Sequence, residues 1–585
     1  MVTVTIDNRT VEVEENSSII SAAYKVGLHI PTLCGYPGLN EIGACRVCVV
    51  EIEGRDRLAP ACNTLVEPNM VIHTNSPKAR SARRTNVELI LSQHDMNCPV
   101  CTKSGNCTLQ QIANDLGIFE VPYPENIPQA PWPQCFPLIR EESKCIKCYR
   151  CIQECSKVQE CNIWDLKNRA IRRTVGVTDN LPIEDSGCTL CGQCITHCPV
   201  GALHERDDTQ KVWAALADPE ITVVAQIAPA VRTAWGETLG LERGFASDRR
   251  LVAALKLLGF DYVYDTNFAA DLTIMEEGSE FLEHISHKAE AEANGPYLPL
   301  FTSCCPGWVR YIKGHYPDMV GALSSSKSPQ QMFGAVLKGW MAPNLGLDPK
   351  KVFCVSIMPC VAKKYERSVT NMNNQYDMPD VDVVLTTREI DRMIRADAID
   401  VKSLPEVDFD EVLGTASGAG MIFGATGGVM EAALRSAYVL ATGKDPDPDL
   451  FHDVRGLDGW REETIDIEGT QFKVAITHGL GNAHKLLEAI RAGEVMYDFI
   501  EVMACPGGCS GGGGQPIRDQ VELAPVRVDE LYRLDKLNPL RLSIRNPMIA
   551  KIYDEFLGTP LSEKAEEYLH TDQQDWSMIP AECEA

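Results

Sequence analysis

The stretch Thr302-Ser303-Cys304-Cys305-Pro306-Gly307-Trp308 decides how the rest of the chain is read. It follows an apolar, strand-like run from Tyr297 to Phe301. Adjacent residues leave a strand on opposite faces, so one cysteine can ligate a metal while its neighbour keeps a free thiol. Two further segments have the same form. Met358-Pro359-Cys360 follows the apolar run 352–357, and Cys505-Pro506-Gly507-Gly508-Cys509, with Ser510 and Gly511 to Gly514 behind it, follows 499–504. In an open α/β sheet, sites form outside the carboxyl ends of the strands. Cys305, Cys360, Cys505 and Cys509 then offer four thiolates from three strand ends, enough to hold an iron–sulfur cube. Cys304 is the odd thiol beside it.

The chain has 585 residues, room for several domains. Lys and Arg total 55 against 81 Asp and Glu, a net charge of −26, which disfavours nucleic acid and anionic membrane as partners. No apolar run is long enough to span a bilayer. The segment Met1 to Asp7 lacks a basic region followed by an apolar one, so no secretory signal is expected. The 24 cysteines have tight, metal-like spacings, which argue for ligated thiolates in a reducing cytoplasm rather than disulfides.

Residues 1–78 open with an alternating hairpin pattern (Val2, Val4, Ile6, then Val11 and Val13), followed by a helix from Ile19 to Val26. Cys34, Cys45, Cys48 and Cys62 follow with the spacing C-x10-C-x2-C-x13-C, the ligand set of a [2Fe–2S] centre or of a four-cysteine zinc site. Residues 79–118 read as helical and carry His94, Cys98, Cys101 and Cys107. One imidazole and three thiolates suit zinc or a [4Fe–4S] cube, and the neighbouring cluster patterns favour the cube. Residues 119–136 hold five prolines and read as an extended linker, with Cys135 an unligated thiol.

Residues 137–209 contain an internal repeat. Cys145, Cys148, Cys151 and Cys155 form the first run, and Cys188, Cys191, Cys194 and Cys198 the second. In two-cluster ferredoxins the fourth cysteine of each run ligates the other cluster. One cube is therefore expected on Cys145, Cys148, Cys151 and Cys198, and the other on Cys188, Cys191, Cys194 and Cys155. Cys161 is extra and reads as structural.

From about residue 210 strands and helices alternate, which predicts an α/β domain of two lobes. The expected strands are 221–227, 262–265, 297–301, 352–357, 381–386, 474–477 and 499–504. His478-Gly479-Leu480-Gly481 lacks the third glycine of a dinucleotide turn and reads as a tight strand-to-helix connection. Residues 541–585 read as a polar helical tail wrapping the domain, with Cys583 binding nothing. Ala228, Pro229 and Ala230 follow the first strand and present backbone to the crevice, while Met358 and Met503 flank the cysteines as polarisable packing. Lys363 lies three residues after Cys360. Cys304 is placed to exchange protons, and Glu277, Ser324 and Glu280 are candidates to carry them outward; for each acid alone, a solvated helix face is the plain alternative.

Taken together, Thr302 to Trp308, Met358-Pro359-Cys360 with Lys363 and Lys364, and Glu501 to Gln515 resemble the three signatures of the [FeFe]-hydrogenases. The resemblance spans essentially the whole chain. It implies a β-grasp [2Fe–2S] domain (1–78), a small His-ligated [4Fe–4S] domain (79–118), a linker (119–136), a two-[4Fe–4S] ferredoxin domain (137–209), a catalytic H-cluster domain (210–540) and a small-subunit-like tail (541–585). The implied H-cluster is a [4Fe–4S] cube on Cys305, Cys360, Cys505 and Cys509, bridged by Cys509 to a di-iron subsite bearing CO, cyanide and an azadithiolate. Lys363 is implied to bond a cyanide, and Pro229, Ala230 and Gln330 to line the pocket; Ala230 stands where several relatives have Ser. H2 is then split reversibly, with Cys304, Glu277, Ser324 and Glu280 carrying the proton and four accessory clusters the electrons.

The layout is most similar to the catalytic subunit of cytoplasmic NAD(P)-linked multimeric enzymes, in which flavin- and NAD(P)-binding and [2Fe–2S] subunits are partners. Stand-alone ferredoxin-linked enzymes share it. A non-catalytic cluster-assembly relative is the main competing reading, opposed by the presence of Cys304, Lys363 and both Cys505 and Cys509. An electron-transfer subunit of a respiratory complex or formate dehydrogenase shares only the first modules.

Overall fold

The computed structural model describes residues 1–288, 297–372 and 378–583. The expected hairpin forms: β1 (Val2–Ile6) pairs antiparallel with β2 (Arg9–Val13). Its turn uses Asp7 and Asn8, both at positive φ (45° and 66°), a conformation these short polar residues tolerate. With β3 (Val49–Ile52), β4 (Ala59–Pro60) and β5 (Val71–His73) the hairpin builds a sheet of order β2-β1-β5-β3-β4. The helix Ile19–Lys25 is capped by Ser18, whose hydroxyl accepts from Ser21 N–H. Its apolar face joins Val4, Ile6, Val50 and Ile72 in a small separate core.

Residues 79–118 are less helical than their sequence suggests. A helix spans Pro77–Leu91, with Ser76 as its cap and Pro77 at its first position, and another spans Thr108–Asp115. The cysteines lie on the turns between them, where the backbone is free to wrap a metal. In the next unit β6 (Leu138–Arg140) pairs antiparallel with β9 (Leu203–Glu205) and brings its two ends together. The insertion between the cysteine runs folds as a second pair, β7 (Trp164–Lys167) with β8 (Thr174–Val177).

The α/β region holds two four-stranded sheets. In the first, β10 (Thr222–Ile227), β11 (Tyr262–Asp265), β13 (Val352–Met358) and β14 (Val383–Thr386) run parallel in the order β11-β10-β13-β14. Such strands are covered on both faces and read as continuous apolar runs, which is why the sequence exposes them. In the second, β12 (Leu300–Phe301), β16 (Thr470–His478) and β17 (Phe499–Met503) are parallel, and β15 (Trp460–Ile467) closes one edge antiparallel to β16. β15 was not among the expected strands. Its sequence, WREETIDI, is largely polar and only Ile467 is buried, so no apolar run marks it. The strand expected over 297–301 shortens to β12.

Two expectations about the chain end are corrected. The tail is not a polar wrapping: Ile549, Ile552, Tyr553, Leu557, Tyr568 and Leu569 are buried in the same core as the first sheet. Cys135 and Cys583 are not isolated thiols. They form a disulfide, with Cα atoms 5.3 Å apart at a sequence separation of 448. The pairing follows from where the last turn docks, since Arg206 donates to both the Cys135 carbonyl and the Glu582 carboxylate. In a non-reducing digest the peptides carrying Cys135 and Cys583 should run as one species that reductant separates. Cys583→Ser should lower stability by about 2–5 kcal/mol in denaturant titrations.

Candidate metal centre

Cys305, Cys360 and the pair Cys505 and Cys509 lie just beyond the carboxyl ends of β12, β13 and β17. Two sheets therefore contribute to one locus. Cys305 precedes the helix Pro306–His315, and its sulfur accepts from Ala504 N–H at 3.5 Å. Burial raises the thiols of Cys360 (to about 12), Cys505 and Cys509, and these three are raised further by Cys305 and by one another. The nearest cation is Lys363, which lowers Cys360 and Cys509. Four neighbouring thiols with Lys363 beside them form a donor set that fits a positively charged iron cluster.

Glycines make the approach possible. A Cβ on Gly513 would lie 2.4 Å from the Cys191 carbonyl, and one on Gly512 would lie 2.2 Å from the Pro359 carbonyl. The backbone of 512–514 thus slides between the Pro359-Cys360 turn and the second ferredoxin run. Cys505 Sγ lies 3.6 Å from the Cys191 carbonyl, so the locus directly touches the neighbouring cysteine cluster.

Lys363 is fully engaged. Its ammonium meets both oxygens of Glu366 at 3.0 and 2.8 Å and the Cys304 carbonyl at 3.1 Å. Burial works against the ammonium, but Glu366 outweighs it and the pKa stays above the ordinary lysine value. Gln330 donates to Glu366 at 3.1 Å and accepts from Ser356 at 2.9 Å. Ala228 N–H is fixed by the Ile357 carbonyl at 3.0 Å, and the Ala230 carbonyl accepts from Gln515 at 2.8 Å. Pro229, Met358 and Met503 are buried around them.

Cys304 and Glu277 share the apolar side of this locus. Burial raises the Cys304 thiol well above its ordinary value, and Glu277 adds to that. Glu277 is pushed up to about 8, first by burial and then by the Glu280 charge. Ser324 and the Ser303 backbone approach its carboxyl, but neither of its buried oxygens completes a hydrogen bond within the protein. Ser324 Oγ donates to Glu280 at 2.5 Å. The solvated-face alternative therefore fails for Glu277, which is fully buried, while Glu280 is half-buried.

The other predicted thiols also gather in groups. Cys34 and Cys45 exchange N–H···S contacts at 3.5 and 3.4 Å, and Cys62 joins both Cys34 and Cys48. His94 Nδ1 contacts the Lys144 carbonyl at 3.0 Å, which leaves Nε2 available to a metal. Cys101 follows Cys98 by one hydrogen-bonded turn and raises Cys107. One cavity is lined by Cys145, Cys148, Cys151 and Cys198, and another by Cys155, Cys188, Cys191 and Cys194. That is the crossed grouping read from the repeat. Cys161 shares the second cavity and bonds Cys155.

Several residues at the locus were not singled out from sequence. Glu366 is the counter-ion of Lys363. His478 accepts from Gly507 N–H at 3.1 Å and contacts the Leu457 carbonyl at 3.0 Å, fixing the loop between Cys505 and Cys509. Glu501 accepts from Gly427 N–H at 2.6 Å and Met430 N–H at 2.8 Å. Glu366 lies three residues after Lys363, one helical turn, and that spacing was the available signal.

Glu366→Ala should destabilise the apo chain by about 3–5 kcal/mol in urea, because it strands the Lys363 charge in the interior. Glu277 predicts a pH dependence. Its unfolded form ionises near the ordinary glutamate value, so its contribution is full below that pH and is lost as pH rises to about 8. Glu277→Gln should therefore gain stability over the parent chain between pH 5 and pH 8, as read by thermal melts.

The family described as iron only hydrogenase large subunit, C-terminal domain, matches residues 221–513. A 2Fe-2S iron-sulfur cluster binding domain matches 1–77, a 4Fe-4S binding domain 181–204, and an iron hydrogenase small subunit 522–575. An NADH-ubiquinone oxidoreductase-G iron-sulfur binding region matches 83–122. The NADP-reducing hydrogenase subunit HndD of Solidesulfovibrio fructosivorans is 47% identical over 98% of both chains. Iron hydrogenase 1 of Clostridium pasteurianum is 38% identical over 97% of this chain and 99% of its own. A solved apo variant of the [FeFe]-hydrogenase HydA1 from Chlamydomonas reinhardtii superposes with a TM-score of 0.56 at 42% identity, covering 62% of this chain and 98% of that one. These matches, the first of which spans all four locus cysteines, show that the chain belongs to the [FeFe]-hydrogenases, iron–sulfur oxidoreductases acting on H2.

Proposed function

We propose that this chain is the hydrogen-activating subunit of a cytoplasmic, multi-subunit, NADP-linked [FeFe]-hydrogenase. The observation that carries the reading is the meeting of Cys305, Cys360, Cys505 and Cys509 at one buried locus, with Cys304 and the Lys363–Glu366 pair beside it. The four thiolates would hold the H-cluster cube, with Cys509 facing the di-iron subsite. When bound, the H-cluster supplies the redox chemistry that interconverts H2 with protons and electrons.

The protein supplies orientation, dryness and a proton path. Lys363, kept charged by Glu366, would donate a charge-assisted hydrogen bond to an anionic ligand of the cofactor with the N–H that here meets the Cys304 carbonyl. Pro229, Ala230, Gln330, Met358 and Met503 form the wall, with Ala228 anchoring the first turn to β13. Cys304 would take up a proton as its own passes to Glu277, and Glu277, which has a neutral form at physiological pH, would release its proton in the same step. Ser324, which donates to Glu280 at 2.5 Å, and Glu280 would carry it outward.

Cofactor content follows from the thiol groups. One [2Fe–2S] cluster would take Cys34, Cys45, Cys48 and Cys62, and three [4Fe–4S] clusters would take His94 with Cys98, Cys101 and Cys107 and the two crossed ferredoxin sets. The domain divisions at 78, 118, 136, 209 and 540 follow these groups. The similarity to a subunit named as NADP-reducing supports a flavoprotein partner that binds the nucleotide.

Infrared spectroscopy of the anaerobically matured chain tests the reading. Bands of iron-bound CO and cyanide are expected, together with H2-dependent viologen reduction; NADP reduction is expected only after a partner subunit is added. Cys304→Ala should keep the bands and iron content but lose at least about 100-fold in turnover. A fully loaded chain without those bands would instead be an electron-transfer or assembly protein.

A further inference from the structure

The hydrogen bonds do not stop at Glu280. Its second oxygen accepts from Ser325 N–H at 2.9 Å and from Ser325 Oγ at 3.1 Å. Ser325 Oγ also meets His570 Nδ1 at 2.8 Å. The other ring nitrogen, His570 Nε2, lies 3.1 Å from Glu276. Glu276 is fully buried, and it also accepts from the Tyr553 hydroxyl and from Leu561 N–H at 2.9 Å. Glu276 and Glu280 sit four residues apart on the helix Thr266–Ser286, hence on one face, both towards His570.

His570 is held where it is by more than its ring. Lys327 N–H donates to the Leu569 carbonyl at 2.7 Å, Thr571 N–H to the Ser325 carbonyl at 2.8 Å, and Gln573 to the Ser324 carbonyl at 2.9 Å. The tail is thus stitched to the loop that carries Ser324 and Ser325. The charged and titratable groups around the imidazole are Glu276 and Glu280 from the helix, Tyr553 from the tail and Lys327 from the loop, whose ammonium is directed to Asp380.

We propose, resting on the hydrogenase reading above, that His570 is the outer proton station of the relay, positioned by Glu276 and reached from Glu280 through Ser325. In H2 oxidation the protonated Glu280 gives its proton to Ser325 Oγ as the Ser325 proton moves to His570 Nδ1. Glu280 is left as carboxylate and His570 as imidazolium, with Nε2–H held by the Glu276 carboxylate. Release of one proton to water restores the neutral ring, so protons balance and no electrons move. The arrangement uses an imidazole because it is the side chain that exchanges protons near neutral pH.

The test is H2 oxidation with viologen by the matured full-length chain across pH. His570→Ala should slow turnover about tenfold with KM for H2 unchanged and the infrared bands intact, and added imidazole should restore the rate. His570→Gln, which keeps hydrogen bonding but cannot carry a proton, should be as slow. Glu276→Ala frees the ring from its position and should slow turnover with the infrared bands intact, while the conservative Glu276→Asp should recover part of the rate. A full rate in His570→Gln, or no rescue of His570→Ala by imidazole, would assign the ring to structure alone and overturn the proposal. If His570→Ala fails to fold, the glutamine variant and Ser325→Ala decide it, since normal turnover in either overturns it as well. Absence of the bands and of turnover in the parent chain would instead sink the hydrogenase reading, and this one with it.

Discussion

Four thiols on three strand ends must meet at one buried point, and much of the structure is arranged around that demand. Cys305, Cys505 and Cys509 belong to the second sheet, and Cys360 to the first. Neither sheet can supply the set alone, so the two lobes are held to a fixed relation. The close backbone passage at Gly512 and Gly513 is the local consequence, because any side chain there would drive the Cys509 loop away from Cys360 or from Cys191. The tight approach also sets the distance to the next group of thiols, since Cys505 Sγ lies 3.6 Å from the Cys191 carbonyl.

The same demand shapes the interior electrostatics. The chain carries −26 overall, yet its domain junctions are built on buried cations that reach across them. Arg150 donates to the Cys34 and Gly35 carbonyls at 3.3 and 2.9 Å and to Asp519 at 2.7 Å, tying the first sheet, the ferredoxin unit and the catalytic domain at one residue. Arg310 reaches the Cys188 carbonyl at 2.9 Å, and Lys364 pairs with Asp208 at 2.7 Å and Glu389 at 2.9 Å. Buried pairs like these add little net stability, because desolvation offsets their attraction, but breaking one strands a charge. They favour a single relative placement of the modules over alternatives that leave a cation unpaired.

On the catalytic side, burial works in two directions. Lys363 remains charged because Glu366 is beside it, whereas Glu277 is kept largely neutral below about pH 8 by its burial and by the nearby Glu280 charge. One buried group is thus a fixed charge and the other a carboxyl that can hold a proton near neutral pH, and the difference is an opposite charge beside the first. The C-terminal segment takes part as well, closing over the loop of Ser324 and Ser325 and bringing His570 to Glu276.

By itself, the sequence determined what is local. Cysteine spacing dictated the groupings of candidate thiolates, since a loop wrapping a metal needs its donors within a few residues. Continuous apolar runs located the parallel strands, since both faces of each are covered. It could not show β15, whose residues are largely polar, nor Glu366, which resembles any helical acid until its burial is seen. The pairing of Cys135 with Cys583, the passage of Gly513 past Cys191 and the contact of His570 with Ser325 and Glu276 join residues far apart in the chain. No periodicity records such pairings, because they arise only when packing decides which buried polar groups have each other, rather than water, as partners.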